Sequence, residues 1–411
     1  MKPAAHDLTV FVIPSWYPSR AKPAAGIFVR DQVRAVARQR PHWRIAVSVW
    51  GQDETVVELR RPLATFSRLC RRDAWARSEY SESANAVVYS SPVLHWTPRL
   101  LSGRFAALLA ASRANLLRSQ ERFGDVDLIH AHASFPAALV AMELASEFGV
   151  PYVVTEHTGE ALRHRLERAE IGRRALGEAL QRASALIAVS QTLARRLAQA
   201  GVSATDVIPN VVDEELFTPA PPPRSAPPRA FALARLVDEK GIGRLIAATA
   251  SLRRSGFAVE LRIGGDGPRR GQWERDALRL GLDGTVSFLG SLTREAVRDE
   301  MRACSCFVLP SESESFGVVC IEALACGRPV VATRSGGPEE IVTERDGVLV
   351  PPRDADALAE GLRTVLARQY DAEAIRAAAV QRFGSAAVTA ALERVYRRVL
   401  LQRSAPSGAE G

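Results

Sequence analysis

Short apolar, β-branched runs alternate along the chain with stretches of helical periodicity. The runs are LTVFVI, RIAVSV, VDLIHAH, PYVVTEH and ALIAVS, then RAFALAR, AVELRIGG, TVSFLG, CFVLPS and RPVVATR. Such strands, separated by helices, form parallel sheets covered on both faces, so the pattern predicts an α/β protein with two doubly wound sheets. Between the two sets lies FTPAPPPRSAPPRA, residues 217–230, whose prolines sustain neither a helix nor a central strand. It reads as a linker between a first domain, 1–216, and a second, 231–384. A helical pattern over about 385–402 by itself reads as closing the second domain, and the tail 403–411 has the composition of a disordered segment.

A length of 411 residues suits two domains, and no apolar run approaches the roughly 18 residues of a membrane span. The N-terminus passes into LTVFVI without a leader-like stretch, so a cytoplasmic location is expected. Residues 100–123 place Arg104, Arg113, Arg118 and Arg122 among Leu, Ala and Phe. That helix could lie peripherally on an anionic membrane, but its alanine-rich apolar side favours packing on the first sheet. Five scattered cysteines make no disulfide framework, and Cys304 and Cys306, alternating across an expected strand, would be poor joint metal ligands. The net charge of +8 comes without the motifs of a nucleic-acid binder. Of the 54 basic residues only Lys2, Lys22 and Lys240 are lysines, which sets Lys240 apart.

The densest chemical signal is PSESESFGVVCIEALACGRPVVAT, residues 310–333. A strand ends, a polar loop follows, and Phe316-Gly317 opens a helix whose free N–H groups at Gly317, Val318 and Val319 suit a phosphate. Glu314 precedes the helix and Glu322 lies inside it. Carboxylates at these positions can accept hydrogen bonds from a sugar and a ribose. Singly, each would read as a solvated or capping glutamate. In LARLVDEKGI, Arg235 ends a strand and Lys240 follows five residues later, where a fork and a point charge together neutralise a diphosphate. RIGGDGPRR, residues 262–270, reads only as a tight turn bordering that pocket.

In the first half, Gly26 stands where a loop and helix start can approach a ligand. His130 and His132 end one strand, and His157 follows another. A lone histidine is commonly structural, but three at neighbouring strand ends raise the prospect of a site. They match no metal-ligand spacing. Asp125-Val126-Asp127 and Asp354-Ala355-Asp356 are explained by capping and solvation.

Taken together, the chain resembles glycosyltransferase family 4, the retaining enzymes of GT-B architecture, in which two Rossmann-like domains face across a cleft. The E-x7-E pattern runs from Glu314 to Glu322, and IAVSQTLARRL, VIPNVVDEELFTP, ARLVDEKG and GGDGP fall in the family's order. PSWYPSRAKPAAGIFVRDQ resembles the branch that builds bacterial polysaccharides and glycoconjugates, although Ala25 stands where many relatives have a second glycine. The resemblance implies a nucleotide-sugar donor, a glycan or lipid-linked acceptor, and no metal or other cofactor. Arg235 and Lys240 would bind the donor diphosphate with backbone at Gly317 and Val318, Phe316 bordering them. Glu314 would hold the donor sugar, Glu322 the ribose, and His157 would lie near the reacting carbon. His132 and Gly26 would line the acceptor side and the phosphate, and the last helix would cross back to the first domain. A nucleotide-sugar epimerase of the same architecture and a non-catalytic nucleotide-sugar-binding scaffold are the competing readings. A pyridoxal-dependent phosphorylase would need a Schiff-base lysine, and Lys240 is already placed at the diphosphate.

Overall fold

The computed structural model describes residues 8–19, 22–50, 56–57, 76–93, 95–96, 101–158, 170–221 and 227–404. Cys70 and the tail from 405 onward lie outside the described residues. The chain forms two compact units: one takes the residues up to Val189, Leu193–Pro209 and those from Val388 onward, the other Ser190–Thr192 and Asn210–Ala387.

The first unit is built on an eight-stranded sheet. In spatial order its strands are Asp206–Val207, Ala185–Ala188, Tyr152–Glu156, Leu128–His132, Thr9–Pro14, Arg44–Val49, Ala86–Ser90 and Ser78–Ser83. All neighbours pair in parallel except the last two strands. Every residue of Thr9–Pro14, Leu128–His132 and Tyr152–Glu156 is buried, which is why these runs are apolar without alternation. Ala86–Ser90 and the exposed edge strand Ser78–Ser83 were not among the expected strands. SEYSES is polar on both faces and carries no burial pattern, as befits an edge.

Helix Leu101–Phe123 lies on this sheet through Leu108, Ala111 and Leu116. Asn115 stitches it down: its amide donates to Ser48 Oγ (3.1 Å) and the Tyr89 carbonyl (3.0 Å), and it accepts from Ser91 Oγ at 2.7 Å. Arg113 pairs with Glu147, and Arg118 and Arg122 with Glu79. Among the described residues no helix is long and apolar enough to cross a membrane.

The second unit's six-stranded sheet runs Val286–Gly290, Glu260–Gly264, Arg229–Leu233, Cys306–Leu309, Val330–Thr333 and Gly347–Val350, parallel throughout. Gly347–Val350 is a further strand the apolar runs did not reveal. Cys304 is the C-cap residue of helix Arg294–Ala303, not part of a strand, because the chain turns before Cys306. Asp354 caps helix Ala355–Ala367 by accepting from the Ala357 amide, and Asp127 accepts from the amide of Thr9, 118 residues away at the start of the neighbouring strand, so a residue of each Asp-x-Asp pair has a structural role.

The second unit starts earlier than the proline-rich stretch. Buried backbone carbonyls need donors, and arginines of this unit supply them. Arg376 donates to the carbonyls of Phe217 (2.6 Å) and Glu214 (2.8 Å), and Arg302 Nε to that of Thr218 at 2.8 Å. At the other end, helix Ser385–Ser404 is clustered with the first unit from Val388 onward. Tyr396 is buried there, Arg40 pairs with Glu393, and Arg398 pairs with Asp206.

Candidate active site

In the second unit the spatial strand order reverses between Arg229–Leu233 and Cys306–Leu309. A switch point of this kind, at the carboxyl edge of an open parallel sheet, is where a ligand crevice forms. Arg235 and Lys240 follow the first strand, and Glu314 and Gly317 follow the second. The loops touch backbone to backbone: the Glu312 amide donates to the Glu239 carbonyl at 2.8 Å. Gly241, at φ +68°, permits this contact, since a Cβ there would stand 2.0 Å from the Pro310 carbonyl oxygen. The 262–270 turn braces the same loop, with Leu236 N donating to the Asp266 carbonyl at 3.0 Å and Arg269 N to the Leu236 carbonyl at 3.1 Å.

Lys240 Nζ meets Glu314 Oε1 at 2.5 Å. The Arg235 guanidinium is exposed and has no side-chain partner among the described residues. Glu314 is fixed by its main chain, whose amide donates to the Ser335 carbonyl (2.9 Å) and whose carbonyl accepts from Gly337 N (3.1 Å). Beyond it, helix Val318–Ala325 starts from Gly317 at φ +102°, and the amides of Gly317, Val318 and Val319 have no acceptor among the described residues. Two cations and a row of open amides beside one carboxylate can hold a multiply charged anion that also bears hydroxyls.

Phe316 is buried edge-on against Phe383, with ring centroids 5.9 Å apart, so this position offers its backbone, not its ring, to a ligand. Glu322 is buried on the helix and lies 3.9 Å from Arg294, which is 3.7 Å from Asp213 and stacks over Phe217. Burial, with Glu314 and Glu322 adding to it, pushes the Cys320 thiol well up. It therefore stays neutral and is no nucleophile at ordinary pH. The ion pairs of Glu312 with Arg244 (2.6 Å) and Arg353 (2.7 Å) went unread in the sequence.

In the first unit, the Gly26 helix start lies against the loop after strand Thr9–Pro14, where a Cβ on Gly26 would stand 2.1 Å from the Trp16 carbonyl oxygen. Phe28, in the first turn of helix Ile27–Gln39, stacks on His157 at 4.3 Å between centroids. His132 Nδ1 is 3.1 Å from His157 Nε2, so one imidazole donates and the other accepts. Burial pushes His132 down to about 3, leaving it neutral.

His130 does not belong with this pair as a ligand group. Its Nδ1 meets the Tyr396 hydroxyl at 2.6 Å and its Nε2 the Thr155 hydroxyl at 2.8 Å, which ties the last helix to the sheet. Burial, then His132 and His157, hold it well below the usual imidazole range. Among the described residues no group of three or more His, Cys, Asp or Glu side chains is placed to hold a metal ion.

The residue that sequence reasoning missed is Glu156, wholly buried at the end of its strand. Its Oε1 accepts from His157 N (2.9 Å), Thr158 N (2.6 Å) and Thr158 Oγ1 (2.9 Å), and its Oε2 from Ser134 N (2.8 Å) and Ser134 Oγ. One carboxylate thus fixes the two loops that carry His132 and His157. The only signal in the sequence was a charge closing an otherwise apolar strand run.

Two α/β units, each built on a largely parallel sheet, are the GT-B architecture. Residues 5–216 match the family model described as Glycosyltransferase Family 4, and residues 213–382 the one described as Glycosyl transferases group 1. The chain belongs to glycosyltransferase family 4.

It is 34% identical over 282 residues to a D-inositol 3-phosphate glycosyltransferase from Arthrobacter, a match covering 63% of this chain and 66% of that one. It is 29% identical over 369 residues to the putative teichuronic acid biosynthesis glycosyltransferase TuaC of Bacillus subtilis, covering 86% and 88% respectively. Among solved structures it is similar in fold to Anabaena HepE in complex with UDP-glucose, with a TM-score of 0.64, 22% identity, and 96% and 99% of the two chains covered.

Proposed function

We propose that this glycosyltransferase moves a hexose from a UDP- or GDP-sugar to a hydroxyl of a glycan, glycolipid or lipid-linked acceptor, with retention and without a metal, in the making of bacterial cell-surface polysaccharide. The observation that carries the reading is the contact of Lys240 with Glu314 at the switch point, with Arg235 on the loop of Lys240 and the open amides of Gly317 and Val318 just beyond Glu314. The relative in teichuronic acid biosynthesis and the UDP-glucose complex of HepE support the acceptor class and the donor class.

In this mechanism Arg235, Lys240 and the open amides take up the charge that grows on the departing diphosphate. The Lys240–Glu314 contact gives way as the donor enters, Lys240 turning to phosphate and Glu314 to the sugar hydroxyls, while Glu322 serves the ribose. The bond from the anomeric carbon to the diphosphate oxygen breaks, and the acceptor oxygen adds on the same face. The acceptor's proton passes to the departing phosphate. His157, held by Glu156 and paired with neutral His132, lies beside the reacting carbon. The reaction takes place in the cytoplasm.

The test is thermal protection by a panel of UDP-, GDP- and ADP-sugars, followed by transfer with the donor that protects, with and without a chelator. Lys240→Ala should lose at least ~10²-fold in turnover, the scale for removing one transition-state electrostatic donor. Near-normal turnover in that variant would reject the assignment. Products formed without an acceptor would point to an epimerase, and protection without any turnover to a binding scaffold.

A further inference from the structure

Helix Ile27–Gln39 carries Arg30 and Arg34 one turn apart on one face. Their circumstances differ. Arg34 Nε donates to Glu82 Oε1 at 2.6 Å, and the other oxygen of that carboxylate accepts from the Tyr17 hydroxyl at 3.1 Å. Glu82 is therefore occupied on both oxygens. The Arg30 side chain has no ion-pair or hydrogen-bond partner among the described residues, and its Nε is buried without an acceptor. A cation held partly out of water with nothing opposite it is costly, and a structure rarely leaves one so placed.

The surroundings of Arg30 are aromatic. Its charge acts on both Tyr17 and Tyr80. Trp16 precedes Tyr17 in the loop that the Gly26 helix start touches. Trp16, at 36% exposure, and Tyr80, at 46%, are the exposed Trp and Tyr side chains among the described residues; Tyr80 lies within reach of the Arg30 charge, and Trp16 is the residue before Tyr17. The patch lies beside the carboxyl end of strand Thr9–Pro14, because Trp16 and Tyr17 follow it directly. Aromatic faces stack on the apolar faces of sugar rings, and a planar guanidinium pairs with a carboxylate or phosphate in two parallel hydrogen bonds.

We infer that Arg30, flanked by Trp16 and Tyr80, binds an anionic saccharide, one bearing a carboxylate or a phosphate, as the acceptor of the transfer. The inference rests on the proposed reading that the first unit takes the acceptor, and it specifies that acceptor's charge. The neighbouring Arg34–Glu82 pair is internally neutral, so among the described residues the charge of Arg30 is uncompensated.

The test uses the full chain, saturated with the nucleoside diphosphate that the donor panel selects so that the second unit's crevice is filled. Binding of methyl glucuronide, glucose 1-phosphate and neutral methyl glucoside is followed by ligand-observed NMR. At least one anionic probe should bind about tenfold or more tightly than methyl glucoside, as expected for a hydrogen bond to a charged partner. Which anion gains distinguishes a uronate from a sugar phosphate. Arg30→Gln should erase the preference and Arg30→Lys restore part of it, while Trp16→Ala weakens all three probes. The nucleoside diphosphate should stabilise Arg30→Gln as much as the unmodified chain. Loss of that stabilisation in the unmodified chain would count against the donor reading, not this one. Equal binding of all three probes, or an anion preference that survives in a folded Arg30→Gln protein, would overturn the inference.

Discussion

Replacing Glu156 by glutamine changes one buried oxygen into an NH₂ group, and the structure says what that costs. The carboxylate accepts from three backbone amides and two hydroxyls. If the new NH₂ faces Thr158, the amides of His157 and Thr158 both lose their acceptor. If it faces Ser134, the serine hydroxyl can reverse and accept, and only the Ser134 amide is stranded. The second arrangement is cheaper. One buried amide without an acceptor costs about 1–3 kcal/mol, and the surviving bonds lose their charge assistance, so the total is roughly 2–4 kcal/mol. For a unit of this size each kcal/mol lowers the melting point by about 2–4 °C, which places the expected fall at roughly 5–15 °C. Because the same carboxylate sets the loops of His132 and His157, turnover should also fall about 10²-fold at temperatures where the variant remains folded. Calorimetry and a transfer assay on Glu156→Gln measure both. A variant that melts within about 1 °C of the unmodified protein and turns over normally would refute the view that this carboxylate positions the pair.

Two other predictions concern pH and the loop contact. Burial depresses His132 to about 3 and also holds His130 low, so between pH 6.5 and 3 the unfolded chain binds protons that the folded first unit refuses. Stability from these residues is whole above about pH 6.5 and is lost as pH falls, by up to about 1.4 kcal/mol per pH unit for each histidine. Urea unfolding of the first unit between pH 7 and 5 reads this directly, and a flat profile would contradict it. Gly241→Ala must adopt φ +68° at a cost of about 1–2 kcal/mol and must also move its Cβ off the Pro310 carbonyl oxygen. Separating the loops of Lys240 and Glu314 should weaken nucleoside diphosphate binding about tenfold or more, measured by thermal shift. Unchanged affinity would mean that the loop contact does not shape the crevice.

The parallel sheets were legible in the chain because strands buried on both faces write continuous apolar runs, and TVFVIP, LIHAH and YVVTE are buried at every residue. Lys240, Glu314 and Gly317 were legible for a similar local reason, since each stands at the end of a strand or the start of a helix. Strand Ser78–Ser83 was not, because an exposed polar edge carries no such pattern. Nor was the early start of the second unit at Asn210, which depends on arginines supplied from far along the chain.

His130 and His132 share a strand and a face, and no local pattern separates them. Tyr396, 266 residues away, covers one and leaves the other facing His157. The contact between Lys240 and Glu314 spans 74 residues and exists because the strands that precede them are neighbours in the sheet. Arg30 reads in the sequence as one arginine among many, and only the folded unit shows Glu82 already occupied by Arg34 and Tyr17. Residue type and spacing record what each segment buries, while which loops meet, and which charges are left over, follow from how distant strands are ordered in the sheet.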